Sequence, residues 1–360
     1  MGSETIDELL SLTADASTEI SREAGFRLMS AAVEHPEALP KLVQSLGSEN
    51  RWTRYCAAGA LAALGSISEC AVSDLARLAR DKGLSETDRA HFGNCLGIIG
   101  GSAIPLIAEM LDEDDEFLRE CAPSFFRTDR SREEVVAHLI ANLQNTSRDA
   151  RRATNEFLSG CIRPPPVQEL RQACHYPNML RKAGAALALS KLGIHDAEVM
   201  SACAECLRSA NEDVQEIGLM CASKAGEAAA QFFPRIPEIL KSGNSDVIYA
   251  ALDFCIELTM SMDPIKDKLV EFSSSPSVHI RIQATELLGR MSMPDRQIIM
   301  RLIALLDDED STVVLLAANA LGQYGSGARE ALPNLESLIA NCDAETASVA
   351  ARSISWIRGD

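Results

Sequence analysis

Three groups of side chains in this 360-residue sequence have types and spacings that could do chemistry. Cys203 and Cys206 stand as C-x2-C, a spacing that offers two thiolates to zinc or to a redox couple. A closed zinc site needs four ligands, and no second C-x2-C accompanies the pair; Cys221 and His175 are donors elsewhere in the sequence. The surrounding run Ser201–Ala210 reads as helix, where residues i and i+3 share a face, so these thiols are expected in the core. Asp112-Glu113-Asp114-Asp115-Glu116 and Asp307-Asp308-Glu309-Asp310 are acidic enough to suggest a divalent cation. Calcium loops alternate their ligands around a central glycine and end on a distal glutamate, and neither run does so. Both fall before helices, where carboxylates favour the helix dipole. The six histidines are His35, His91, His138, His175, His195 and His279; none lies in H-E-x-x-H, and no glycine-rich phosphate loop occurs. His195-Asp196 follows Gly193 and reads as a capping turn. Nothing selects a Ser–His–Asp triad. The expectation is no catalytic residue, no metal and no cofactor.

Composition limits the remaining functions. Hydrophobic residues make up 46% and aromatics 4%, so the apolar share falls to Ala, Leu, Ile and Val, which suits closely packed helices. The formal net charge of −18 repels nucleic acid and attracts basic partners. Eleven cysteines, scattered among apolar neighbours as in Tyr55-Cys56-Ala57, read as reduced core thiols. The start MGSETIDELL is no signal peptide, and Ile6 stands where a myristoylation motif wants Ser or Thr. No apolar run reaches the ~20 residues of a membrane span. A soluble, cytoplasmic protein is expected, with no membrane and no nucleic-acid partner.

The elements that would position any site recur along the chain. Ala-rich helices end in Leu-Gly or a variant at Gly65, Gly100, Gly160, Gly193, Gly226, Ser292 and Gly325, with less clear copies near 119–130 and 247–260. The spacing of about 30 to 35 residues fits a helix–turn–helix unit. Glycine permits the left-handed turn that closes a helix. First helices carry an early proline, as in SAIPLIAEML, FPRIPEIL and REALPNLESLI. Second helices follow capping residues: SEN before Arg51, SET before Asp88, DEDDE at 112–116, NSD at 244–246 and DDEDS at 307–311. A basic residue recurs early in the second helix at Arg54, Arg89, Arg119, Arg151, Lys182 and Arg281, and is replaced by Gln215, Ile248 and Val314.

An acidic turn, then a Val-Arg-x-x-Ala-like run, then Leu-Gly, resembles the HEAT repeat and its phycobilin-lyase-like relatives over about residues 20–358. The resemblance implies an all-α, right-handed α-solenoid of about nine to ten helix pairs. It implies that the basic position pairs with an acidic turn of an adjacent repeat, and that second helices line the concave face. Residues 1–20 read as a capping segment and 21–360 as a single stack, with a possible bend at 162–166 (Ile162-Arg163-Pro164-Pro165-Pro166). Among HEAT-like families, the deoxyhypusine hydroxylases build their iron site on His-Glu, a dipeptide lacking here.

Two places stand out for binding. Residues 131–190 hold eight Lys and Arg against five Asp and Glu, a net of +3 in an acidic chain. Within them Arg148, Arg151, Arg152, Arg181 and Lys182 fall where second helices begin and could form a basic patch, although Arg151 and Lys182 also sit at the repeat's basic position. Trp52 and Tyr55, beside Arg51 and Arg54, form an aromatic–arginine cluster of the kind that anchors interfaces. The reading is a non-catalytic scaffold holding another protein, with basic segments as the partner feature that the acidic charge would attract. A phycobilin-lyase-like chaperone or enzyme working through a groove is the alternative. A HEAT-like DNA-binding or glycosylase role is disfavoured by the charge.

Overall fold

The computed structural model describes residues 5–359 except 16, 112, 127, 146, 293, 294 and 342. It is all α, with no strand among the described residues. The chain divides into two compact units, Met1–Ala188 and Leu189–Asp360.

The first unit holds α1 (Ile6–Leu12), α2 (Thr18–Glu34), α3 (Leu39–Ser45), α4 (Arg51–Leu64), α5 (Val72–Arg80), α6 (Glu86–Ile99), α7 (Ala103–Met110), α8 (Glu116–Phe125), α9 (Thr128–Asn142), α10 (Arg148–Gly160) and α11 (Val167–Cys174). The unit boundary falls within α12 (Met179–Lys191), a place where composition gives no break and away from the prolines at 164–166. The second unit continues with α13 (Ala197–Leu207), α14 (Glu212–Ala225), α15 (Ile236–Ile239), α16 (Ser245–Ile256), α17 (Lys266–Phe272), α18 (Val278–Gly289), α19 (Arg296–Ala304), α20 (Ser311–Gln323), α21 (Leu332–Asn341) and α22 (Ala344–Arg358). Among the described residues these make eleven helix pairs in chain order. The Leu-Gly motif marks α4 through α20 and misses the first and last pairs. Residue 1–4 of the expected capping segment lie outside the described residues; the segment otherwise contributes α1 and the start of α2, the first full pair.

Even-numbered helices pack side by side: α2 on α4, α4 on α6, α6 on α8 and α8 on α10 in the first unit. In the second unit α14, α16, α18, α20 and α22 do the same. The alanines explain this closeness, since Ala57, Ala58 and Ala60 on α4 and Ala317, Ala318 and Ala320 on α20 are buried with no bulk between neighbouring backbones.

The punctuation is as expected at most positions. Gly65, Gly100, Gly193, Gly226 and Gly325 have positive φ between +52° and +79°, a conformation costly for any residue with a Cβ. Gly160 differs: it is the last residue of α10, and the chain leaves through Cys161 in a right-handed conformation. Asn50, Ser85, Asp115, Asn244 and Asp310 cap α4, α6, α8, α16 and α20 through side-chain oxygens. The helical stretch Arg51–Arg80 is long and apolar enough, by composition, to cross a membrane, contrary to the sequence expectation of no such run. It is mostly buried and is interrupted by the positive φ of Gly65 and by non-helical Ser68, so it is two core helices, α4 and α5, with a turn between them.

Candidate functional site

The recurrent basic position is the fourth residue of each second helix, and its first task is local. Arg54, Arg119, Arg151 and Arg281 donate to the carbonyls of Ser48, Glu113, Asn145 and Ser275, each six residues back, at 2.7 to 3.0 Å. These bonds close the turn before the helix. Gln215 donates in the same way to Ser209 O at 2.7 Å, so a position that looks lost in the sequence keeps its donor. Ser21 in α2 does likewise with Asp15 O at 2.9 Å, a copy the sequence did not reveal. The link to an adjacent repeat is made by Arg89 with Asp115 at 2.7 Å and Arg281 with Asp308 at 2.9 Å. Both arginines are buried. Ile248 and Val314 have apolar, buried side chains at the same position.

The chemical candidates resolve into packing and capping. Cys203, Cys206 and Cys221 are buried, and the Cys203 thiol donates to Gly218 O at 3.2 Å. The hydrogen bond between Cys203 and Cys221 moves the two thiols in opposite directions, raising Cys203, which burial raises further, and lowering Cys221 against its own burial; both side chains are shut away from solvent. Asp115 and Asp310 are helix caps, and Asp308 holds Arg281; Asp112 lies outside the described residues. Burial raises the Asp115 carboxyl, but the Arg89 guanidinium and the Leu118 amide outweigh it and hold the group below the usual carboxylate range. His195 Nδ1 lies 3.1 Å from Ser190 Oγ, and Asp196 caps α13. On the surface, Glu116, Glu120 and Asp149 bring carboxylate oxygens within 4.8 Å of one another.

The basic residues of 131–190 differ in exposure. Arg151 is buried in its own turn. Arg148 and Arg152 are exposed on α10, with Arg152 3.4 Å from Glu156. Arg181 stacks over Tyr176 at 4.7 Å and, like Lys182, is half-buried. The burial of Arg151 corrects its expected place in the patch: a guanidinium that closes its own turn is withdrawn from the surface.

The aromatic cluster is larger than the sequence suggested. Trp52 and Tyr55 meet edge to face with centroids 5.7 Å apart, and Tyr55 stacks on His91 of α6 at 3.4 Å and 10°. His91 Nε2 sits 2.9 Å from Tyr55 O, fixing the ring. Burial lowers the His91 pKa, with the Tyr55 carbonyl and Asp88 opposing. With Phe26 and Met29 of α2, these side chains line a cavity of about 130 Å3 across α2, α4 and α6. Phe26 is 58% exposed, an unusual position for a phenylalanine. Glycines let α2 and α4 approach beside the cavity: a Cβ on Gly25 would meet Cys56 Sγ at 2.6 Å, and one on Gly59 would meet Met29 Sδ at 3.3 Å. Phe26 and Met29 were not picked out in the sequence, and His91 was weighed there only as a histidine outside any metal motif, since nothing in the sequence links residues so far apart.

Residues 6–91 and 266–355 match the family model of HEAT repeats. Those two segments carry HEAT repeats. No curated protein sequence matches it. Among solved structures, a Kap121p mutant superposes with a TM-score of 0.58 at 14% identity, covering 99% of this chain and 46% of that one. A chain of the Kap95p–RanGDP structure gives 0.50 at 12% identity, covering 98% of this chain and 55% of that one. An engineered protein gives 0.47 at 17% identity, with 99% of both chains covered. The chain therefore spans about half the length of the two Kap chains, and likeness at this identity establishes the helical-repeat fold.

Proposed function

We propose that this HEAT-repeat chain is a non-catalytic scaffold that binds another protein on the face made by its second helices. The observation that carries the reading is the open aromatic cleft on α2, α4 and α6, with Phe26 held largely in solvent at its edge. Large apolar side chains gathered around an unfilled space mark interaction sites. The packing and capping roles of the cysteines, acidic runs and His195 support a non-catalytic role. The acidic charge favours a protein partner with basic segments over nucleic acid. The Kap95p structure, by its description, concerns binding to RanGDP, a protein, so the fold serves this use elsewhere. Within this proposal the protein acts in the cytoplasm, where a reducing environment suits its free cysteines.

The test is affinity capture on the immobilised full chain, compared with Phe26→Ser. Phe26 is exposed, so its loss should leave the melting temperature within the range of ordinary surface changes. The expected result is a protein retained by the wild type and reduced at least tenfold on the variant. A chain that retains no protein, or that binds DNA tightly at physiological salt, contradicts the proposal.

A further inference from the structure

We propose that the second-helix face of the first unit takes an extended segment of the partner protein, with a large apolar side chain in the α2–α4–α6 cleft and a lysine or arginine about six residues away on the carboxylates of α8 and α10. This rests on the protein-binding reading above and specifies the partner's chemistry.

The register of the repeats puts both features on one stripe. Trp52, Phe117 and Asp149 are the second residues of α4, α8 and α10, and Tyr55 and Glu120 are the fifth residues of α4 and α8. Because α4 packs on α6, α6 on α8 and α8 on α10, equivalent positions follow one another across the face. The cleft, at about 130 Å3, has the size for one large side chain; an apolar cavity of roughly 150 Å3 holds a benzene ring. Its walls include the rings of Phe26, Trp52, Tyr55 and His91, with Met29 as an adaptable sulfur contact and Arg22 also on the lining, so this end of the stripe suits the apolar side chain and not the basic one.

The occupant's charge follows from the next helices along the stripe. Glu116, Glu120 and Asp149 are exposed, with carboxylate oxygens within 4.8 Å of one another, and like charges at that range repel. A guanidinium or ammonium placed among them would relieve the repulsion and gain charge-assisted hydrogen bonds. The neighbouring carboxylates Glu113 and Asp115 are already held by Arg80 and Arg89. Arg148 and Arg152 are exposed on α10, the helix that carries Asp149. From α4 to α8 is two interhelical steps of roughly 8–10 Å. An extended chain at about 3.3 Å per residue covers that in roughly six residues.

Fluorescence anisotropy with the full chain tests this. The probes are labelled twelve-residue Gly/Ser peptides carrying one Phe and, six residues on, an Arg-Arg pair. Control peptides replace Phe with Ser or Arg-Arg with Glu-Glu. The expected result is at least tenfold tighter binding of the parent peptide than of either control. Phe26→Ser should abolish the preference for Phe and keep that for Arg; Glu120→Lys should do the reverse. Both substituted residues are exposed, so thermal melts should coincide with wild type. Equal affinities for the three peptides, preferences unchanged in both variants, or binding that requires added calcium or magnesium would overturn the proposal. A captured protein partner that both variants retain would overturn this site and leave the scaffold reading standing, whereas failure of the wild-type chain to retain any protein removes the scaffold reading itself.

Discussion

Arg89 and Arg281 are the residues on which neighbouring repeats most depend electrostatically. Each is buried and each meets a carboxylate of the following repeat, so removing the guanidinium leaves a carboxylate with little access to water holding only weaker partners, Lys82 at 3.7 Å and a backbone amide for Asp115 and a backbone amide for Asp308. Arg89→Ala should cost about 3 kcal/mol in urea unfolding, while Arg54→Ala, which loses bonds to backbone carbonyls at a half-buried site, should cost about 1 kcal/mol. Asp115 adds a pH dependence. Its folded pKa lies below its unfolded value, so the pair's stabilisation is complete above the usual carboxylate range and is lost as pH falls through it towards the folded value. Asp115→Asn should therefore be clearly less stable than wild type at pH 7, and the gap should narrow by pH 3. A gap that is constant with pH would contradict the assignment. The thiols give a third check. A native-state thiol titration should label Cys70 and Cys161 quickly, while the buried cysteines at 56, 95, 174, 203, 206, 221 and 255 react only on unfolding. Burial pushes Cys95 and Cys255 to about 12, so they lack thiolate as well as access.

Close approach of the second helices is the governing feature at the scale of elements, and Gly93 shows its limit. A Cβ there would lie 2.3 Å from the Phe125 ring, within the packing of α6 on α8. Gly93→Ala should destabilise by roughly 1–3 kcal/mol through overpacking, despite alanine's better helix propensity. Thermal or urea melts decide the sign. This is also the scale at which the sequence is most informative. Helix ends at Gly65, Gly100, Gly193, Gly226 and Gly325 are legible because only glycine tolerates their backbone angles. Caps such as Asn50 and Asp310 are legible because few side chains reach the exposed amides. Gly160 has the same signature but lies within α10, since a Leu-Ser-Gly ending does not by itself dictate a left-handed turn. Gln215 hid the converse: an amide replaces a guanidinium as donor without resembling the motif.

For the whole molecule, the fold class was written throughout the chain, whereas the candidate site was not. Each repeat states its own architecture within about 33 residues, because its helices need only adjacent repeats to bury their apolar faces. The cleft draws Phe26, Trp52 and His91 from three successive repeats, and only the packing of α2, α4 and α6 brings them together. Trp52 and Tyr55 were legible as an aromatic cluster; their stacking partner and the open space beside them were not. The division at Ala188 falls inside α12, where a continuous helix leaves no trace of it in composition. The net charge of −18 belongs to this scale too, and would give the proposed partner interaction a salt dependence. The most direct measurement is the affinity of the captured partner for the full chain and for Phe26→Ser, read by calorimetry at one salt concentration. The account predicts at least tenfold weaker binding by the variant with coincident thermal melts; equal affinity would show that the aromatic cleft is not where this protein holds its partner.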